Sequence, residues 1–398
     1  MGFLRRIVDA IDPAPKTEKR SAHLAASYRF ANIHAGGGYP ISPAESESLA
    51  AVSAAISVIS SAIASFPVNV YRRAGDGRMA APDHPIAALF ASGPNAHQSG
   101  PEFIEQMVSE ALRWGNAVAE VESDQNGRVA AMQPIPWGWI APIMLQSGRL
   151  AFDVTPPQGA FFAVGKSPGP ARQRRLFAEE VIHLRDRSDD GVLGRPRLSR
   201  SPDAVRLGLA MQRQQMQLYE NGARPGGILS TETPIQGEEA DRLRDEWHQD
   251  FTGENAGQVA ILGYGLKYQP LAIEPEKMEM IASRGFAVEE IARIFQVPPP
   301  LLGDYRHNTF TNSQSAARWF AQHCLGPWVR KFEAALERAV LSERERRNMQ
   351  IEFDMSSLLR GDDDARWKTH KIAVENEILT TDEIREIEGW NPRGDGDG

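Results

Sequence analysis

The sequence predicts an α+β fold, and three observations carry that expectation. Apolar residues recur at three- and four-residue steps near both ends of the chain. Between residues 117 and 187 the period changes to two, as in half-buried strands. A strand–helix–hairpin module of about fifty residues, 223–274, then separates two long helical stretches, 201–222 and 275–297. At 398 residues, with 41% hydrophobic and 24% charged residues, the chain has ample length for a core and about one to three domains. A formal charge of −8 is unlike that of a protein whose whole surface grips nucleic acid.

Taken in order, residues 1–40 read as a flexible basic arm carrying Arg5, Arg6, Lys16, Lys19 and Arg20 and punctuated by Gly36-Gly37-Gly38. It is either a solvated tail or assembly arm, or a segment that orders on nucleic acid. Order begins at Ser42-Pro43-Ala44-Glu45, where Ser42 is suited to cap a helix, Pro43 to its first turn and Glu45 to a capping box. Leu49, Val52, Ile56, Ile59, Ile63 and Phe66 form one stripe of that helix. A strand is expected over Pro67–Tyr71, turned at Gly75-Asp76-Gly77, and helices near 84–91 and 102–114, the second capped by Ser99. Asn126-Gly127 and Ser147-Gly148 mark two hairpins, 117–121 with 129–135 and 140–145 with 150–154. Residues 155–175 read as a Pro/Gly-rich loop and 180–185 as a strand.

A long helix opens at Ser201-Pro202-Asp203 and ends at Asn221-Gly222. The inserted module comprises a strand at 227–230, a charged helix at 238–251 and a hairpin of 258–262 with 266–273 about Gly263-Tyr264-Gly265. The next helix carries Met278, Ile281, Gly285, Val288, Ile291 and Phe295 on one face. It stops near Gln296, because Val297-Pro298-Pro299-Pro300 cannot continue it. A polar loop, 298–313, follows and returns as a helix with Ala317, Phe320, Cys324, Trp328, Phe332, Leu336 and Val340 on its apolar side, broken at Pro327. Glu343–Arg347 reads as a solvated charge run, Ile351–Asp354 as a strand, and 358–370, 372–377 and 381–389 as short helices. The Gly- and Asp-rich tail, 391–398, is expected to be disordered.

Motifs that suggest chemistry fail on spacing. Gly165-Lys166-Ser167 would need a glycine at position 160 to be a phosphate loop, where Ala160 stands, and Pro168 and Pro170 block the helix start that cradles phosphate. Asp362-Asp363-Asp364 suits a helix N-terminus better than a metal site. His183, His248, His307 and His323 show no zinc spacing, and no Gly-x-Ser-x-Gly occurs. Cys324, the single cysteine, lies on an apolar helical face and reads as an inert core thiol rather than a reactive one. No catalytic residue, cofactor or metal is therefore assigned. No apolar run is long enough for a membrane span and no secretory signal is recognised, so a cytosolic protein, or part of a particle assembled there, is expected.

Between Ser42 and Gly389 the chain resembles the portal proteins of HK97-type tailed bacteriophages. The resemblance rests on the order of Ala50–Tyr71, His84-Pro85, Pro94-Asn95, Gly115-Asn116, Val181–Arg185, Asp190–Gly194, Asn221–Gly227, Ile291–Pro299, Leu301–Gly303, Leu325–Trp328 and Leu358–Asp362. Its compact form is similar to portals of alphaproteobacterial gene transfer agents. The resemblance implies a dodecameric ring at one capsid vertex through which double-stranded DNA is packaged and ejected. It also implies a portal fold: an α+β wing (41–200 and 314–355), a two-helix stem (201–222 and 275–297), a small α/β clip (223–274), a tunnel loop (298–313) and a helical crown with an acidic tail (356–398).

On that reading Arg306, His307, Asn308 and Asn312 face DNA, either touching phosphates singly or hydrogen-bonding between subunits. Trp247, Tyr264 and Tyr268 either anchor a head–tail adaptor and the packaging motor or form the core of the clip. The implied partners are further copies of the chain, DNA, the major capsid protein, the adaptor and the large terminase, the packaging ATPase; no membrane is implied. The place implied is the portal vertex of a virion or phage-like particle. A shorter ring-forming head–tail adaptor and a soluble enzyme are the alternatives, and the two-helix stalk and the missing polar constellation argue against them respectively.

Overall fold

The computed structural model describes residues 28–29, 42–74, 77–157, 173–220, 228–230, 237–238, 241–242, 245, 267–269, 276–306, 310–356, 363–388 and 390. Its elements in order are β1 (Tyr28–Arg29), α1 (Pro43–Glu47), α2 (Ala50–Ala64), β2 (Val68–Ala74), β3 (Gly77–Ala80), α3 (Pro85–Ser92), α4 (Gly100–Trp114), β4 (Asn116–Ser123), β5 (Val129–Ile135), β6 (Ile140–Met144), β7 (Leu150–Val154), β8 (Arg174–Phe177) and β9 (Val181–Arg185). There follow α5 (Pro202–Glu220), β10 (Ile228–Ser230), β11 (Lys267–Gln269), α6 (Glu276–Phe295), α7 (Phe310–Phe320), α8 (Gly326–Val340), β12 (Met349–Phe353), α9 (Asp363–Glu375) and α10 (Thr381–Ile387).

Two antiparallel sheets, β5-β4-β9 and β12-β2-β3, border a helical core, and a third, β1-β6-β7-β8, packs on the other face of the first. The central strand β4 is buried on both faces. Ala117 and Ala119 face the helical core with Ile182 and Leu184 of β9. Val118 points the other way, with Val181 and Ile135, onto Phe152, Val154 and Leu176. Strand alternation thus sorts one short sequence into two cores. The larger core joins α2, α4, α8, the end of α6 and the β12–β2 pair. Residues nearly three hundred positions apart therefore share one interior: Phe353 lies opposite Val68 and stacks on Phe332 with ring centres 5.4 Å apart.

Local signals act as predicted at several joints. Ser99 and Glu102 form a full capping box, the Ser99 amide donating to Glu102 at 2.7 Å. Gly127 and Gly148 take the left-handed turn conformation their hairpins need. Elsewhere packing changes the expectation. Ser42 accepts the Glu45 amide at 3.0 Å, but the Glu45 carboxylate goes to Arg213 on α5 at 2.7 Å, so the box is half made and the helix breaks at Ser48–Leu49 into α1 and α2. Arg174–Phe177, whose first two residues were placed in a loop, is an edge strand against β7, held by Arg175 to the buried Asp153 at 2.7 Å. Residues 363–375 form one helix instead of two short ones.

Pro327 does not break the returning helix. A π turn at Ala321–Leu325, closed by the Gly326 amide on the Ala321 carbonyl, carries the chain from α7 into α8, and the proline occupies the first turn after it. Placing the irregularity just before the proline avoids the missing donor. It also serves the four-residue apolar repeat, which outruns an α-helix by about 40° per step. Phe320, Cys324, Trp328, Phe332, Leu336 and Val340 are all buried, whereas Ala317 is exposed. Burial pushes the Cys324 thiol up to about 12, consistent with an inert core residue.

Asp362, Gly165-Lys166-Ser167 and the 258–262 strand lie outside the described residues; Asp363 and Asp364 stand in the first turn of α9. Among the described residues no helix is long and apolar enough to cross a membrane. Phe332 is fully buried against Phe353. Phe332→Ala is expected to cost about 3–5 kcal/mol, read as a lower denaturant midpoint in equilibrium unfolding.

Candidate nucleic-acid-facing loop and its anchor

The loop after α6 begins from a rigid helix end. Gln296 takes a left-handed conformation, φ 59°, and the Val297 amide reaches back to the Ala292 carbonyl at 2.9 Å while the Gln296 amide reaches Arg293 at 3.3 Å. This is the hydrogen-bond pattern of a Schellman stop. Beyond Pro298, residues Pro299–Leu302 form a 3-10 turn, where prolines are tolerated because the first-turn amides need no partner. Gly303, φ 82°, closes that turn, and the Asp304 amide donates to the Pro299 carbonyl at 3.1 Å. The triple proline therefore builds a second, shorter helical piece instead of a simple interruption.

Arg306 then folds back onto α6. Its Nε donates to Asp304 Oδ1 at 2.8 Å, its backbone amide reaches the same oxygen at 3.2 Å, and Glu289 lies 4.0 Å away. The Asp304 carboxylate beside it raises the guanidinium pKa. The side chain crosses the α6 backbone at Gly285, where a Cβ would come within 1.6 Å of Arg306 Nη1. Gly285 was placed on the apolar face by spacing; the structure makes it the seat for this cation. Tyr305 projects into solvent, 68% exposed. The loop is shorter than predicted, since α7 starts at Phe310 and Asn312 stands within it. His307 and Asn308 lie outside the described residues.

Beneath the loop sits a buried polar node that sequence reasoning did not find. Asp186, at the end of β9, is 2% exposed and accepts Arg197 Nε at 3.0 Å and Arg200 Nη2 at 3.2 Å, with Lys331 Nζ 3.8 Å away. Arg197 also donates to the Phe295 carbonyl at 2.8 Å, satisfying the last turn of α6, where a cation complements the helix dipole. Arg197 and Lys331 both lie over the Trp328 ring, each 5.4 Å from its centre. The same segment is locked to the helical core at Gly115 and Gly194. A Cβ on Gly194 would meet the Gly115 carbonyl at 1.9 Å, and Asn116 both donates to and accepts from Gly194 at 2.8 Å. The only sequence signal was the glycine at each contact. The partnership of Asp186 with residues 11 to 145 positions later has no local signature.

Neighbouring His183 is half-buried between Trp137 and Phe152, with Nε2 3.0 Å from Asn116 Oδ1. Desolvation, with the nearby Arg185 and Arg338 charges, lowers its pKa to about 3, which favours the neutral imidazole. Among the described residues no group of three or more His, Cys, Asp or Glu is placed to hold a metal ion. Of the aromatic residues predicted in the 223–274 module, Tyr268 is on β11 opposite Leu229 of β10, whereas Trp247 and Tyr264 lie outside the described residues. The strand predicted to pair across Gly263-Tyr264-Gly265 thus finds a partner in β10.

Comparisons with known proteins converge. A family model described as phage portal protein matches residues 50–389. The portal protein of Enterobacteria phage HK97 is 27% identical over 352 residues, covering 86% of this chain and 78% of that protein. The probable portal protein of Streptomyces phage phiC31 is 26% identical over 375 residues, covering 91% and 79%. Among solved structures, a chain from the neck of an empty gene transfer agent particle shares the fold with a TM-score of 0.61 at 21% identity, covering 92% of this chain and 96% of that one.

Two substitutions test the anchor. Replacing Asp186 by Asn leaves Arg197, Arg200 and Lys331 without their buried counter-charge, and a loss of about 3–5 kcal/mol is expected in chemical unfolding. Gly285→Ala should forgo the usual gain of about 0.5–1 kcal/mol for such a change in a helix and displace Arg306, seen as faster amide exchange at Asp304–Arg306 without global unfolding.

Proposed function

The chain belongs to the phage portal protein family, a class of structural proteins rather than enzymes, and on that premise we propose that it forms a ring of identical subunits at one capsid vertex of a phage-like particle, through which double-stranded DNA passes. The observation that carries this reading is the loop after α6, projected from a helix whose end is fixed by Arg197 and whose flank seats Arg306. Repeated around a ring, this geometry sets one identical loop per subunit at one height of the bore. In this assignment α5 and α6 are the stem, the segment holding β10 and β11 is the clip, the core described above is the wing, and α9 with α10 is the crown.

Translocation needs contact without capture. Each phosphate neutralised by a free cation adds affinity and salt dependence, and so friction. A chain of net charge −8 limits that grip, and Arg306 meets the bore already paired with Asp304 and near Glu289. Arg306 in this role is a weak guide that exchanges its carboxylate for a passing phosphate, while His307, Asn308 and Asn312 supply further single contacts either to DNA or to the next subunit. Trp247, Tyr264 and Tyr268 mark the clip as the surface for a head–tail adaptor and the large terminase, which brings the ATPase. The major capsid protein surrounds the ring, and assembly takes place in the bacterial cytoplasm. The gene transfer agent likeness makes a DNA-carrying particle of that kind the favoured setting over an adaptor role.

Single-particle images of the purified protein should show rings with a central bore; a compact monomer would contradict the assignment. Deleting Asp304–Thr311 is expected to leave rings intact and to lower DNA packaging or retention, measured as the fraction of DNA-filled particles. Normal filling would refute the loop's role.

A further inference from the structure

The segment between β9 and α5, with Arg185 at the end of β9 and Lys331 on α8, gathers cations of which the portal assignment uses only Arg197. Arg185, Arg187, Arg195, Arg197, Arg200 and Lys331 stand against Asp186, Asp189 and Asp190, six formal positive charges to three negative. Those carboxylates are already engaged. Asp186 takes Arg197, Arg200 and Lys331 together with the Arg187 amide at 2.7 Å. Asp189 takes Arg187 at 3.3 Å and Arg195 at 3.1 Å. Asp190 accepts the Val192 and Leu193 amides at 2.7 and 2.8 Å and the Ser188 hydroxyl at 2.8 Å. A surplus of positive charge remains on a chain that is acidic as a whole.

Among the described residues, two buried donors of this cluster, Arg195 Nε and Arg200 Nε, have no acceptor, nor has Trp328 Nε1 beside it. A buried N–H without a partner costs about 1–3 kcal/mol relative to a bonded one, so native structures seldom leave several together. Burial lowers the pKa of Arg200 and Lys331, and the charges of neighbouring arginines lower it further, although Asp186 opposes this. Arg187 and Lys331 are more than two-fifths exposed, which leaves the cluster open on one side. Unsatisfied guanidinium N–H groups under an accessible cation surplus are the donor set that binds tetrahedral oxyanions.

We propose that the cluster formed by Arg187, Arg195, Arg200 and Lys331 is a phosphate-class oxyanion site at the base of the α6 loop. The anion is either a free phosphate ion or a backbone phosphate of DNA; the second source rests on the portal reading, the first does not. The bound anion supplies the acceptors that the guanidinium groups lack and ties the 186–200 segment to α8.

The test uses the full chain in its ring form, checked by single-particle imaging, so that absence of rings is scored against the portal reading alone. Inorganic phosphate is titrated calorimetrically, and a short DNA duplex is titrated at several salt concentrations. Saturable phosphate binding near one per chain, weakened at least tenfold by Arg195→Gln and by Lys331→Gln in variants that keep the wild-type circular dichroism, establishes the free-ion source. If phosphate does not bind, a fall in the salt dependence of duplex affinity by about one charge per cation removed establishes the backbone source. Neither binding mode, or binding that both variants retain unchanged, overturns the site.

Discussion

The architecture depends on one buried contact, the Arg197 side chain shared between the Asp186 carboxylate and the last carbonyl of α6 at Phe295. A long helix ending in mid-protein leaves carbonyls that need donors. Here a charged donor supplies one, and its counter-charge sits on the edge of the β5-β4-β9 sheet. The end of α6 is thereby bolted to the helical core, and the start of the loop inherits that position. A burial this deep is tolerable only because Asp186 holds several partners at once and because Trp328 offers its ring face to two of the cations.

From that joint outward, burial decreases in steps. Phe295 and Val297 are buried, Leu302 packs partly on the core, and by Tyr305 the chain is in solvent. Arg306 turns back to Asp304 and to Gly285, so the described part of the loop is held at both its root and its flank. In the role proposed for it, the loop would draw on both: a fixed base to keep a bore's dimensions, and a surface whose charge is already paired within the subunit. The oxyanion site proposed at the base joins the same elements, because its cations and the bolt are side chains of one segment.

Much of the fold was legible because the signals were local. Ser99 with Glu102, Asn126-Gly127, Ser147-Gly148 and Ser42-Pro43 each act within four residues, and each marks a real element boundary. The failures share the opposite character. β8 was lost in a loop because Arg174 and Arg175 look like surface residues until Glu120 and Asp153 are brought beside them. The capping box at Ser42 was half right because Arg213, on another helix, competes for Glu45. Of the predicted loop residues, Arg306 does lie on the loop, but its spacing gave no hint that Gly285 would receive it.

Sequence alone determined the α+β class, the two long helices, the stop at the triple proline and the family, since each rests on periodicity, short-range chemistry or ordered motifs. Tertiary structure alone decided that β12 completes the sheet begun by β2, that a π turn carries the helix past Pro327, and that Asp186 meets Arg197 and the end of α6. Those outcomes depend on which surfaces are driven together when apolar area is buried, and on which charges then share a low-dielectric interior. Neither quantity exists until residues far apart in the chain have become neighbours.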